Sequence, residues 1–150
     1  GVDTNTTATF TPANDELLAQ LTRRVLAARS EVLVAARFVN NPDVLRALLN
    51  RQQAGLTVVV LLTRDEKSSI KTASYLTSNG FPQTRLFFDT LPVSSQLIVI
   101  DRETVITGNL PFNSQIAAAS GDMLIMMNPR LALQYRTHIG ARVRASVAVP

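Results

Sequence analysis

Apolar positions recur with two periods along the chain, and the alternation between them predicts the elements. Thr7–Thr11 (TATFT) alternates and predicts a short first strand. Leu17, Leu18, Leu21, Val25 and Leu26 follow at helical spacing, which predicts a helix to about Arg29. Asn14 is its expected cap, and Asp15 and Glu16 sit where the helix dipole favours acids. Glu31–Phe38 (EVLVAARF) predicts an apolar strand. Asn41 before Pro42 opens a second helix, with Val44, Leu45, Leu48 and Leu49 on its buried side and Gly55 ending it. The β-branched run Leu56–Leu62 predicts a strand buried on both faces, a feature of parallel sheets. A polar loop over Thr63–Lys67 leads to a helix over Ser68–Asn79, stopped by Gly80. Strands are expected at Thr84–Phe88, Ser95–Ile100, Thr104–Thr107 and Met123–Met127, with an irregular stretch from Gly108 to Gly121. Pro129 opens a last helix anchored by Leu131, Leu133, Tyr135 and Ile139.

Strand and helix alternate in the first half and a hairpin appears in the second. The pattern predicts a three-layer α/β/α sandwich on a mixed, mostly parallel central sheet. The polar, Thr-rich residues 1–8 are expected to be a linker, 9–145 a single domain, and 146–150 a tail. A chain of 150 residues fits one such domain and can bury a substantial core. No apolar run is long enough to span a bilayer. A Thr-rich start suits a linker below a removed signal or anchor, which favours a periplasmic or cell-envelope location over the cytoplasm.

Composition narrows the chemistry. With no Cys, the chain has no thiol nucleophile, disulfide framework or Cys-ligated metal. A single His, His138, leaves no multi-histidine metal site, and no cofactor is expected. The net charge of +4 comes mostly from arginine, since only Lys67 and Lys71 are lysines. That balance suits nucleic acid or another anionic partner as well as an ordinary solvated surface. Arg64, Lys67 and Lys71 follow the most buried strand, at the end where open α/β sheets hold ligands, and are candidates for anion binding. Asn109 and Asn113 are further candidate donors to an anion. Met123, Met126 and Met127 fit a core or a subunit interface better than a ligand box.

Several phrases carry a resemblance. Phe10-Thr11-Pro12 before a long helix, NNPDVLRALLNRQQAGLTVVVLL, YLTSNGFPQTRLFF, LIVIDRETVITG and the closing NPRLALQYRTHIG together resemble the single-domain nucleases of the phospholipase D superfamily, over about residues 9–142. That family's signature is His-x-Lys, four residues, Asp, then Gly-Ser, an Asn and a later Glu. In this chain the His position is Ser94 and the Lys position is Gln96. Asp101 and Gly108 match, Asn109 replaces the Ser, Pro111 the Asn, and Asp122 the Glu.

The resemblance implies a nuclease-like fold and a homodimer, because in the family two His-x-Lys motifs meet, often across a subunit interface. One His attacks phosphorus and the other protonates the leaving oxygen, while Lys and Asn hold the phosphate. Ser94 supplies neither nucleophile nor acid, because a Ser hydroxyl needs an adjacent base and none accompanies Ser94 or Ser95. Gln96 removes a positive charge from the phosphate, and Pro111 removes an amide and a main-chain donor. No catalytic residue is therefore expected. Asp101 is expected to be a turn carboxylate and His138 a structural residue of the last helix. The resulting expectation is a pseudoenzyme: a structural, assembly or binding module with a protein partner, in a conjugation, secretion or DNA-handling system. Two alternatives are a non-cleaving binder of nucleic acid or phosphate, and a residual phosphodiesterase with a rewired site.

Overall fold

A computed structural model describes residues 5–11, 14–64, 67–92, 96–108, 112 and 121–148. Its elements run β1 (Asn5–Thr11), α1 (Asn14–Leu26), β2 (Glu31–Ala36), α2 (Pro42–Gln53), β3 (Thr57–Thr63), α3 (Lys67–Ser78), β4 (Leu86–Asp89), β5 (Leu97–Ile100), β6 (Thr104–Gly108), β7 (Gly121–Met127), α4 (Pro129–Ala145) and β8 (Val147–Ala148). The strands form one sheet in the order β1-β7-β6-β5-β2-β3-β4-β8.

Strand alternation divides the core into two layers. Val32, Val34 and Ala36 of β2 join a cluster with Leu17, Leu21 and Val25 of α1, Val44 and Leu48 of α2, and Leu76 of α3. Leu33 and Ala35 point the other way, joining Leu61, Leu97, Val99 and Val105 beneath Ala132 and Ile139 of α4. Three helices therefore cover one face and a single helix crosses the other. Both Asn-Pro steps start helices: Asn41 Oδ1 accepts from Asp43 and Val44 N–H at 3.0 and 3.5 Å. Asn128 Oδ1 accepts from Arg130 and Leu131 N–H at 3.1 and 3.2 Å. Each cap satisfies donors that the first helical turn leaves free.

The mixed α/β/α sandwich agrees with the sequence, but four details differ. Parallel pairing is confined to β2–β3 and β3–β4, and the other neighbours are antiparallel. The early βαβ alternation governs only the centre of the sheet, because hairpins build one side. Residues 5–8, expected as linker, belong to β1, whose Asn5–Ala8 pair with Met127–Leu124. Val147 and Ala148, expected as tail, pair with Phe88 and Phe87 and close the β4 edge. Finally, β3 is buried from Val60 to Thr63, whereas Thr57 and Val59 near its start are only half-buried.

Helix α1 stops at Leu26, three residues before the periodicity ends. The main-chain N–H groups of Arg29, Ser30 and Glu31 are taken by the Asp101 carboxylate instead. A tertiary contact thus sets this boundary, and helix propensity does not.

Candidate functional site

Strand direction gathers a set of chain ends at one edge of the sheet. The parallel strands β2, β3 and β4 finish there at Ala36, Thr63 and Asp89. The antiparallel β5 begins there, with Leu97 opposite Ala35 on one side and Thr107 on the other. Strand β6 ends there at Gly108, paired with Met123 near the start of β7. Gly108 has φ +114°, a conformation that favours glycine, which accounts physically for Gly at this signature position.

This edge is held by loops tied to one another. Arg37 O accepts from Thr63 N–H at 3.2 Å and from the buried Ser69 hydroxyl at 2.8 Å. Val39 O accepts from the Thr72 hydroxyl. The side chain of Phe112 is fully buried, and its carbonyl accepts from Asn40 and Asn41 N–H at 2.9 and 3.0 Å. Sequence reasoning did not single out Arg37 or Phe112. The only available signal for Phe112 was a large apolar residue inside an otherwise irregular stretch.

The expected site residues separate into groups. Gln96 lies at this edge, half-buried, immediately before β5, and its carbonyl accepts from Thr107 Oγ1 at 2.9 Å. Ser94, Ser95, Asn109, Pro111 and Asn113 lie outside the described residues. Asp122 has its main chain in β7, opposite Phe10. Arg64 follows β3 directly, its N–H donating to Asp89 O at 3.2 Å. Lys67 and Lys71 stand on the first two turns of α3. All three of these cations are exposed, and among the described residues none of their side chains has a hydrogen-bond or ion-pair partner. Anions are favoured beside such cations at the start of a helix.

Asp101 is not at this edge. Strand β5 carries it four residues away from Leu97, a rise of roughly 13 Å, to the opposite end of the sheet. There its carboxylate accepts from Ser30 N–H at 2.8 Å, Arg29 N–H at 2.9 Å, Glu31 N–H at 3.1 Å and Ser30 Oγ at 3.0 Å. Burial pushes the carboxyl up, but the three main-chain donors outweigh burial and hold it below the usual carboxylate range. Asp101 and Arg102 both have positive φ, +55° and +61°, in the turn joining β5 to β6. Asp tolerates this conformation better than most residues. The signature is continuous in sequence, yet the fold sends its carboxylate to a structural post and its Gln96 to the loop edge.

A second buried carboxylate, Asp89, closes β4. Arg142 of α4 reaches it with two N–H groups, Nε at 3.1 Å, and Leu91 N–H donates at 3.0 Å. Burial raises its pKa, but Arg142 and Leu91 outweigh burial and hold it below the usual range. His138 also acts electrostatically on Asp89. The expectation of a structural His138 beside Tyr135 needs adjustment: Tyr135 packs on the core, whereas His138 is exposed and Ile139 takes the buried position.

Among the described residues no three His, Cys, Asp or Glu side chains converge as a metal site, and no helix is long and apolar enough to cross a membrane. The chemistry on offer at the loop edge is hydrogen bonding and positive charge.

No family model and no curated protein matches the chain. Solved structures do. The chain is similar to Nuc from Salmonella typhimurium, a phospholipase D family member, at 21% identity over 97% of this chain and 98% of that one, with a TM-score of 0.80. It is similar to NucT from Helicobacter pylori at 17% identity over 97% and 99%, with a TM-score of 0.83. It is also similar to TrmBL2, an archaeal chromatin protein, at 13% identity over 95% of this chain and 54% of that one, with a TM-score of 0.63. The chain has the phospholipase D-type, nuclease-like fold.

Proposed function

We propose that this domain uses the phospholipase D-type fold without its hydrolytic chemistry, as a binding or assembly module. One observation carries this reading. In sequence, the positions that the resemblance assigns to His-x-Lys hold Ser94 and Gln96. In-line attack on a phosphodiester needs a nucleophile, a proton donor for the leaving oxygen and positive charge on the phosphate. Ser94 has no His near it in sequence. The chain's single His is on α4, close enough to act on Asp89 of β4, and β2 and β3 lie between β4 and β5 in the sheet. Gln96 brings no charge. A homodimer follows from the resemblance and would place two such edges together without restoring the missing groups. A role in a conjugation, secretion or DNA-handling assembly rests on the same analogy.

The test is turnover. Purified protein incubated with single-stranded DNA, duplex DNA and a generic aryl phosphodiester should release product no faster than buffer. Ser94→Ala should change nothing. Turnover that disappears in Ser94→Ala would overturn the proposal and favour a rewired phosphodiesterase.

A second reading is favoured by Arg64, Lys67 and Lys71, which are exposed and whose side chains are unpartnered among the described residues. It is a module that holds a phosphate polymer without cutting it. Similarity to TrmBL2, which is described by its DNA binding, points the same way. Binding would then fall steeply with salt, with a log–log slope reduced by about 1 for each of the three cations replaced by Ala. Absent or salt-insensitive binding excludes it.

A further inference from the structure

A groove of about 400 Å³ lies on the α4 face of the sheet, beside the amino-terminal half of β3 and β4. It is at the far end of these strands from the loop edge. Its floor is apolar: Val59, Phe87 and Ile139 line it, and Val59 and Phe87 are only half-buried. Its rim is cationic. Arg85 and Arg144 both line it, and among the described residues neither side chain has a hydrogen-bond or ion-pair partner. Arg136 also lines the groove but is neutralised by Glu31, with Nε at 2.7 Å from Oε1. No carboxylate is among the lining residues.

Gly140 shapes the groove. It lies inside α4, where glycine is disfavoured for its backbone entropy. A Cβ at this position would sit in ordinary van der Waals contact with the Arg144 guanidinium, 3.6 Å from Nη1, and only a larger side chain would crowd it. The Arg144 guanidinium therefore lies back along the helix beside Gly140, at the rim of the groove, while the residue itself stays exposed.

The geometry points to a ligand site for a small anionic amphiphile: a single apolar chain or ring lying on Val59, Phe87 and Ile139, with a terminal carboxylate between Arg85 and Arg144. The size lies within the roughly 300–1,000 Å³ of small-molecule sites, which are mostly apolar with a few placed polar groups. Guanidinium groups suit a carboxylate because their donors match its two oxygens. Unpaired arginines without a lining acid select against a cationic or neutral occupant. Two copies seated symmetrically on this groove would set arginine against arginine.

Calorimetric titration tests this, with decanoate as the probe, acetate as the head alone and decyl maltoside as the chain alone, each below its micelle-forming concentration. Decanoate should saturate one site and bind at least tenfold tighter than either control. Arg85→Ala/Arg144→Ala should weaken decanoate at least tenfold. Gly140→Leu should abolish binding by filling the groove and displacing Arg144, while its circular dichroism and melting temperature stay at or above those of the parent. Equal binding of decanoate and decyl maltoside would overturn the proposal, as would decanoate binding that neither variant alters. A parent dimer that Gly140→Leu dissociates would also overturn it, by making the groove a self-association surface.

Discussion

Asp101→Ala is expected to lower stability by about 2–4 kcal/mol, because it strips the acceptor from three main-chain N–H groups at once. Forcing Ala into the φ of +55° at this position adds about 1 kcal/mol. The melting temperature should fall by roughly 6–12 °C for a domain of this size. Asp101→Asn should cost less, since Asn tolerates the conformation and keeps one acceptor oxygen. The same contact predicts an acid response. The folded carboxyl titrates below its usual value, so its contribution is present above the unfolded value of about pH 4 and is lost as pH falls through the folded one. Melting followed from pH 7 to pH 3 should show the parent losing stability faster than Asp101→Asn below pH 4. If the two curves stay parallel, the carboxylate charge has no part in holding the β2 entry.

Arg142→Met is expected to cost about 2–4 kcal/mol for a different reason. It leaves Asp89, which is 4% exposed, buried without its counter-ion. In the parent, Asp89 titrates low, so its contribution is lost on acidification. In the variant the raising effect of burial is released from Arg142. With only Leu91 N–H and His138 left to oppose burial, the folded carboxyl would titrate higher than in the parent, and acid would cost the variant less stability. The deficit of Arg142→Met against the parent should therefore narrow with acid. A deficit constant between pH 7 and pH 4 would show that Asp89 is solvated without Arg142. Asp89→Leu/Arg142→Met should recover much of the loss, since a paired apolar replacement removes the buried charge.

Both contacts illustrate what was legible in the sequence. The Asp101 position was readable as a turn carboxylate from its place between two apolar runs. Its three partners were not, because Arg29–Glu31 are about seventy residues away and only the β2–β5 pairing brings them close. Nothing local marks Arg142 as the partner of Asp89, since any of the thirteen arginines could fill that role on charge alone. The cation trio after β3 was legible because strand, loop and helix follow one another directly.

By itself, the sequence determined the periodicities and therefore the elements. The Asn-Pro caps and positive-φ glycines are local physics, fixed by hydrogen-bond donors and backbone sterics within a few residues. It also determined which groups are missing: no Cys, one His, and Ser94 and Gln96 where the resemblance expects His and Lys. Only the tertiary structure decided what lies beside what. Strand pairing placed Asp101 and Gln96 at opposite ends of β5, made residues 5–8 and 147–148 part of the sheet, and left Val59 half-buried beside two arginines whose side chains have no partner among the described residues. Those outcomes depend on pairing between segments far apart in the chain, where the energy of contact is not encoded in any short stretch of residues.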